Sequence, residues 1–296
     1  MFSLLHHILL KHLNLLHLKT LDTQSSMKSR YESAKNVFID SIDIDDYIEL
    51  STSVTAYKQL EYSIDKPLKM ILLFGRPGTG KSILLNRIQQ KLKYQKEIHY
   101  FDIPSISEKE FFHKLFKVLT GKDLPKNTEV NFSALVSFCK NLRGEREIII
   151  LLDEAQMYGP EMMEKIRLLS DSRAVKFVVS LHKTENEDLI AKEHFQSRIW
   201  EVIELKNANH DDLTNYIHKK LLKKNLFEVA NSIKTKDMKM IHTFTKGNFR
   251  ECNKLLFTIF EICEYYDMNE PTKINYDKIP KRIIEMAAIK LGYINV

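Results

Sequence analysis

Strand-like and helix-like patterns of hydrophobic residues alternate along the chain up to about residue 205. Short continuous apolar runs, typical of strands covered on both faces, lie at residues 68–74, 98–103, 147–152, 174–181 and 200–205. Segments with apolar residues at helical spacing separate them, at residues 82–94, 107–120, 132–142 and 161–169. This alternation predicts an α/β fold, in which a parallel sheet is flanked by helices.

The pattern changes in the last third of the chain. From residue 207 onward every apolar pattern has helical period, and Gly247 and Pro271 break it into separate helices. We therefore predict three regions, which are an N-terminal extension over residues 1–34, an αβ core over residues 35–206 and an all-helical lid domain over residues 207–296. Within them, residues 31–67 are expected to pack beside the sheet.

The N-terminal extension has two readings. Its first 18 residues are rich in Leu and Ile, and Ser3, His7, Lys11 and Asn14 fall on one helical face. That pattern is typical of an amphipathic helix lying on a membrane or on a partner. The other reading, left open, is that the natural protein starts at Met27. No run of about 20 uncharged apolar residues occurs, so no transmembrane helix is predicted.

Composition restricts the class of protein without naming a function. The 296 residues are 44% hydrophobic and 28% charged, which is typical of a globular protein with a substantial core. The net charge of +6 is compatible with contact to nucleic acid or anionic lipid and selects neither. The three cysteines are scattered and form no C-x-x-C pair, so we expect reduced thiols, a cytoplasmic location and no cysteine metal site.

A glycine-rich loop joins the first predicted strand of the core to its first helix. The loop reads Gly75-Arg76-Pro77-Gly78-Thr79-Gly80-Lys81-Ser82 and is followed by Ile83. It matches G-x-x-x-x-G-K-[ST], in which glycines at positive φ let backbone N–H groups surround a phosphate at a helix N-terminus. Lys81 would reach the β- and γ-phosphates, and the Ser82 hydroxyl would ligate Mg²⁺. The flanking strand and helix disfavour an incidental glycine loop, so the sequence predicts nucleoside-triphosphate binding.

Two carboxylates, Asp153 and Glu154, follow the most strand-like run of the chain. Because the carboxyl ends of parallel strands meet at one edge of a sheet, we expect both to face the glycine-rich loop. Asp153 is predicted to hold Mg²⁺ together with Ser82, and Glu154 to orient or deprotonate the attacking water. The alternative is a solvated acidic turn. No guanine-reading N/T-K-x-D motif follows the predicted sheet, so ATP is the expected nucleotide.

With these motifs the chain resembles the AAA+ ATPases over roughly residues 35–290. The segment Asp153-Glu154-Ala155-Gln156 is similar to that of the ExeA/MshM group, which is associated with secretion and pilus assembly. It also resembles the transposition regulators of the TniB/TnsC kind and, more distantly, the archaeal and eukaryotic origin-recognition ATPases. The resemblance implies an ATPase that hydrolyses ATP with Mg²⁺ and works as an oligomer.

The resemblance also implies three further site residues. His182, or alternatively Ser180, would be the sensor 1 residue at the end of the fourth strand. Arg198 would be an arginine finger that reaches the γ-phosphate of a neighbouring subunit in a homo-oligomer. Arg250, in the G-x-x-R pattern at 247–250, would be the sensor 2 residue of the lid. Their alternatives are a surface histidine and arginines paired with nearby carboxylates.

The biological process stays open among three classes. The leading hypothesis is a motor or switch ATPase for a secretion, pilus or DNA-uptake apparatus, in the cytoplasm with peripheral contact at the inner membrane. The second is a DNA-binding regulator of transposition or replication, favoured by lysines of the predicted lid, at 219, 220, 223, 224, 234, 236 and 239. Acidic residues interleave with these lysines, so a solvated face is the alternative. The third, a non-hydrolysing scaffold, is disfavoured by the intact Asp153 and Glu154.

Overall fold

A computed structural model describes residues 29–39, 47–125, 127–182 and 199–294. These residues form two compact units. The αβ unit lies within Ile42–Lys206, and the helical unit combines the described residues before Ser41 with those from Asn207 onward. The predicted amphipathic helix over residues 1–18, the start at Met27 and Arg198 fall outside the described residues.

The described part of the αβ unit is built on five parallel strands. They are β1 Met70–Gly75, β2 Glu97–Phe101, β3 Ile148–Leu152, β4 Val175–His182 and β5 Ile199–Leu205. Their spatial order is β2-β3-β4-β1-β5. Strand β3 is buried along its whole length, as its continuous Ile and Leu residues predict for a strand covered on both faces. The predicted α/β fold with a parallel sheet is confirmed.

Helices cover both faces of this sheet. The first described helix, α1 Arg30–Val37, belongs to the helical unit. The helices on the sheet are α2 Ser51–Asp65, α3 Lys81–Leu92, α4 Glu108–Thr120, α5 Phe132–Asn141 and α6 Pro160–Ser170. On one face α2 and α3 pack through residues such as Leu60 and Leu85. On the other face α4, α5 and α6 pack through residues such as Phe111 and Ile166. The sheet core is therefore closed on both sides.

Strand register brings the candidate site together at one edge of the sheet. Gly75, the last residue of β1, pairs with His182 on β4 and with Leu205 on β5. On the far side of β4, Leu152 at the end of β3 pairs with Val179. The loops that leave β1 and β3 and the last residue of β4 consequently lie at the same carboxyl edge.

The helical unit has a separate core. Its C-terminal helices are α7 His210–Lys223, α8 Phe227–Ser232, α9 Thr235–Thr245, α10 Phe249–Asn269 and α11 Lys281–Lys290. Helix α1 packs against α10, where the rings of Tyr31 and Phe38 lie 6.2 and 5.8 Å from that of Phe260. The expectation that residues 31–67 pack beside the sheet is therefore right for α2 and wrong for α1. The hydroxyl of Ser29, just before α1, donates a hydrogen bond to the Asp267 carboxylate of α10, and long-range contacts of this kind place α1 in the helical unit.

Among the described residues, no helix is long and apolar enough to cross a membrane.

Candidate active site

The loop between β1 and α3 depends on glycine at three positions. Gly78 and Gly80 adopt positive φ angles of 78° and 94°, a region that side chains with a Cβ disfavour. Gly75 is required by a close approach instead, because a Cβ there would lie 2.4 Å from the carbonyl oxygen of Leu205 and 2.9 Å from Oγ1 of Thr79. The start of the loop thus lies close against β5, and the loop backbone turns at Gly78 and Gly80 as the phosphate-binding pattern requires.

Lys81 opens α3 and rests on this loop. Its side chain is only 5% exposed, and its Nζ atom donates to the carbonyl oxygens of Gly75 at 2.8 Å and Arg76 at 3.1 Å. The first-turn N–H groups of a helix have no intrahelical acceptor, and they add the positive end of the helix dipole. A buried ammonium group and a helix N-terminus therefore meet at the loop, which suits a phosphate.

Asp153 follows β3 and is 2% exposed. Its Oδ2 atom accepts a 2.9 Å hydrogen bond from the hydroxyl of Tyr100, and its Oδ1 atom accepts one of 2.9 Å from the backbone N–H of Glu154. The Tyr100 hydroxyl also lies 3.4 Å from the carbonyl oxygen of Ser82. Burial, together with the Asp153 charge, raises the pKa of Tyr100, so the phenol stays protonated and remains a donor.

The side chains at this edge fit Mg²⁺ bound together with a nucleotide. Among the described residues no group of three or more His, Cys, Asp or Glu is placed to hold a metal. Mg²⁺ in phosphate-transfer sites takes one or two carboxylates and completes its shell with phosphate oxygens and water. Asp153 offers a buried carboxylate, and the Tyr100 hydroxyl that donates to it lies 3.4 Å from the carbonyl oxygen of Ser82. The Asp153 carboxylate and the Ser82 hydroxyl are metal ligands of that kind.

Glu154 is held in an uncommon conformation. Its φ angle is +49°, a strained value for a residue other than glycine, and its side chain is about one-third exposed. Oε1 of Glu154 lies 3.0 Å from Nε2 of His182, and the amide nitrogen of Gln156 donates to Oε2. That amide nitrogen is also 3.2 Å from Nδ1 of His182. Side chains therefore contact both oxygens of the carboxylate.

The two residues proposed for sensor 1 have different surroundings. His182 is the last residue of β4 and contacts Glu154 at the sheet edge. Ser180 is fully buried within the same strand, and its hydroxyl has no hydrogen-bond partner among the described residues. His182 is therefore the one that lies with the other site residues, and its role stays a prediction.

Comparisons with known proteins agree with this geometry. A family model described as an AAA domain matches residues 65–189. General secretion pathway protein A from Aeromonas hydrophila is 25% identical over 178 residues, which cover 56% of this chain and 32% of the relative. The matched stretch of this chain therefore spans about a third of the length of that relative.

Solved structures share the fold at low sequence identity. Drosophila ORC bound to DNA superimposes with a TM-score of 0.64 at 15% identity, covering 93% of this chain and 69% of that one. Cdc6p from Pyrobaculum aerophilum gives a TM-score of 0.55 at 15% identity, covering 79% and 66%. Residues 65–189 match the AAA domain family, and the chain has the fold of the AAA+ P-loop ATPases.

The predicted sensor 2 residue of the AAA+ protein lies in the helical unit. Arg250 is an exposed residue in the first turn of α10, which the Asn248 side chain caps. Gly247, just before it, has a φ angle of +74°, and a Cβ there would lie 1.9 Å from the carbonyl oxygen of Ala208. The glycine of the G-x-x-R pattern is thus required by packing. The roles of Arg250 and Arg198 stay predictions.

The sequence patterns missed two residues of the site, Tyr100 and Gln156. Gln156 stands in the Asp-Glu-Ala-Gln segment, so its proximity to Glu154 along the chain was a usable signal. Tyr100 gave no such signal, because it reaches Asp153 through the pairing of β2 with β3. That pairing depends on strand order, which local patterns do not reveal.

Proposed function

We propose that this AAA+ protein binds ATP with Mg²⁺ and hydrolyses it to ADP and phosphate. The observation that carries the proposal is the placement of Asp153 and Glu154 at the sheet edge that carries the glycine-rich loop. The Tyr100 hydroxyl donates to Asp153 and lies 3.4 Å from the Ser82 carbonyl oxygen, and Glu154 stands beside His182. One carboxylate would face the metal and the other a water molecule.

Each group would have a distinct role. The loop from Gly75 to Ile83, with the N–H groups at the start of α3, would bind the phosphates, and Lys81 would exchange its contacts with two loop carbonyls for phosphate oxygens. Asp153 and Ser82 would hold Mg²⁺, which neutralises charge that develops on the phosphate oxygens. Glu154 would accept the proton of the attacking water. Arg198 and Arg250 are the candidates for further charge stabilisation.

Phosphate release at saturating ATP tests this proposal. We expect Lys81→Ala to lose both ATP binding and turnover, and Glu154→Gln to retain binding while turnover falls at least about 100-fold. Matched controls are Lys58→Ala and Glu145→Gln, which change exposed residues of the same types. Unchanged turnover in Lys81→Ala would overturn the proposal.

We further propose that hydrolysis drives assembly or remodelling of a partner complex in a secretion, pilus or DNA-uptake system. Its support is the likeness to general secretion pathway protein A, which extends over 178 residues at 25% identity. ATP is made in the cytoplasm, so we place the protein there, with peripheral contact at the inner membrane. A homo-oligomer in which Arg198 acts on a neighbour's nucleotide would connect ATP to assembly.

Mixing two inactive variants tests action between subunits. Arg198→Ala keeps an intact base, and Glu154→Gln keeps an intact arginine, so a mixed oligomer contains some complete sites. We expect turnover of the mixture to exceed that of either variant alone, and wild-type turnover per subunit to rise with protein concentration. Turnover of the mixture equal to the mean of the two variants would overturn the oligomer proposal.

DNA binding is a second candidate function. Lysines of the helical unit at positions 223, 224, 234, 236 and 239 are exposed, and one solved relative of the fold is bound to DNA. Lys220 does not belong to this surface, because it is 5% exposed and lies against the rings of Phe38 and Tyr216. Binding of labelled duplex DNA would have to require ATP and weaken steeply between 50 and 200 mM salt, as phosphate contacts do. Absence of a complex at 50 mM salt would overturn it.

A further inference from the structure

We propose that Tyr100 is a positioning residue for the metal site. Its hydroxyl fixes the orientation of the Asp153 carboxylate, and its ring sets the spacing between that carboxylate and the first turn of α3. The inference rests on the proposed function, because it acts through Asp153 as a ligand of Mg²⁺. It concerns how tightly the metal is held and leaves the roles of Lys81 and Glu154 unchanged.

Strand pairing places Tyr100 at this point. In the parallel ladder of β2 and β3, Tyr100 pairs with Leu151, and the Asp153 N–H donates to the Phe101 carbonyl oxygen at 3.1 Å. Side chains alternate along β2, so Ile98 and Tyr100 face the core beneath α2 and α3, whereas Phe101 faces the opposite core. The Tyr100 ring is thereby packed on the side of the sheet from which the phosphate-binding helix rises.

The contacts of Asp153 show what the hydroxyl does. Each carboxylate oxygen has two acceptor positions, and each accepts one protein donor, Tyr100 O–H on Oδ2 and Glu154 N–H on Oδ1. The carboxylate is almost completely buried, so these two bonds fix its rotation while leaving acceptor capacity on both oxygens for a metal. Without Tyr100, the backbone N–H of Glu154 would be the one hydrogen-bond donor left to the carboxylate among the described residues.

The Tyr100 hydroxyl also lies close to Ser82. The phenol has one proton, and the shorter bond to the charged Asp153 oxygen takes it, at 2.9 Å against 3.4 Å for the Ser82 carbonyl oxygen. The Tyr100 oxygen therefore lies between the two residues that are expected to hold Mg²⁺. Outer groups of this kind typically change metal affinity by about 10- to 100-fold when they are removed.

The test measures how binding of a fluorescent ATP analogue depends on the Mg²⁺ concentration. Tyr100→Phe removes only the hydroxyl, Asp153→Asn removes the proposed ligand, and Tyr94→Phe is a matched control because Tyr94 is 86% exposed. We expect Tyr100→Phe to raise the half-saturating Mg²⁺ concentration about tenfold, to bind the analogue normally in EDTA, and to regain full affinity at saturating Mg²⁺. Tyr94→Phe should match the wild type.

Three outcomes would contradict the inference, and they differ from one another. A wild-type Mg²⁺ midpoint in Tyr100→Phe, with a shifted midpoint in Asp153→Asn, overturns the role of Tyr100 alone. Weaker binding in EDTA that Mg²⁺ does not restore shows that the hydroxyl only supports the fold. An unshifted midpoint in Asp153→Asn overturns the metal assignment in the proposed function and, with it, the role of Tyr100.

Discussion

Nε2 of His182 lies 3.0 Å from Oε1 of Glu154, at the ends of the neighbouring strands β4 and β3. Gln156 completes a ring of contacts, because its amide nitrogen donates to Oε2 of Glu154 and lies 3.2 Å from Nδ1 of His182. A neutral imidazole with its proton on Nε2 satisfies both contacts. The carboxylate proposed as general base is therefore restrained by two side chains in this geometry, and turning it toward a water in another direction would break at least one of these contacts.

We predict that Gln156→Leu raises basal ATP turnover about threefold to tenfold. Loss of a hydrogen bond worth about 1 kcal/mol would increase the fraction of Glu154 that is free to turn toward water. Steady-state phosphate release measures the change, and Gln95→Leu, at an exposed position, is the control. A fall in turnover would contradict the restraint of Glu154 by Gln156 and would show that Gln156 orients the base for catalysis.

A second prediction concerns the close approach of Gly75 to β5. The Cβ of Gly75→Ala would lie 2.4 Å from a backbone carbonyl of Leu205, so the loop or the strand must shift. We expect ATP affinity to fall at least about tenfold and unfolding free energy to fall by about 1–3 kcal/mol. Gly159→Ala is the matched control, because that glycine has a φ of −67° and open space around its Cβ position. Equal behaviour of the two variants would refute the packing argument.

A third prediction concerns the buried side chain of Lys176. Its Nζ atom donates to the carbonyl oxygens of Ile64 and Lys66 at the end of α2, and it pairs with Glu147 at 2.8 Å. Lys176→Met deprives the end of α2 of this donor, so we expect the free energy of unfolding to fall by about 2–3 kcal/mol. Urea denaturation measures it, and Lys58→Met on the exposed face of α2 should stay within about 0.5 kcal/mol of the wild type. A similar loss in both variants would contradict the capping role.

The glycine-rich loop and the acidic strand end could be predicted because each is a local pattern. The spacing from Gly75 to Ser82 determines a phosphate loop wherever a strand precedes it and a helix follows. Continuous Ile and Leu before Asp153 indicate a buried strand, and parallel strands bring their ends to one edge. Neither prediction depends on the order of the strands in the sheet, so both could be made from the sequence alone.

Contacts that depend on strand order or on distant segments could not be predicted. Tyr100 contacts Asp153 only because β2 pairs with β3 in one particular register. The helix Arg30–Val37 joins the helical unit through packing on α10, far along the chain, while its own sequence shows only a weak apolar pattern. Such placements are decided by tertiary packing, so the expectation that this segment lies beside the sheet failed.

The contact between Tyr293 and Glu251, next to Arg250, links the pH dependence of stability to the candidate sensor region. The Tyr293 hydroxyl donates to Oε2 of Glu251 at 2.6 Å, and Lys254 pairs with Oε1 at 2.9 Å. Partial burial opposes ionisation, but these two contacts outweigh it and keep the pKa of Glu251 below its ordinary value. A carboxyl with a lowered folded-state pKa stabilises the protein above its unfolded-state pKa, and that stabilisation is lost as pH falls through the folded-state pKa.

We therefore predict that Tyr293→Phe raises the pKa of Glu251 toward its ordinary value. The variant should be less stable than the wild type above about pH 5, and the Glu251 contribution to this difference should disappear as pH falls below the folded-state pKa, because both proteins are then protonated at this site. NMR titration of the Glu251 carboxyl and urea unfolding across this pH range measure the two effects, with Tyr94→Phe as the control at an exposed tyrosine. An unchanged Glu251 pKa in Tyr293→Phe would show that the positive charges of Lys254 and Arg250 keep the carboxylate ionised without the tyrosine.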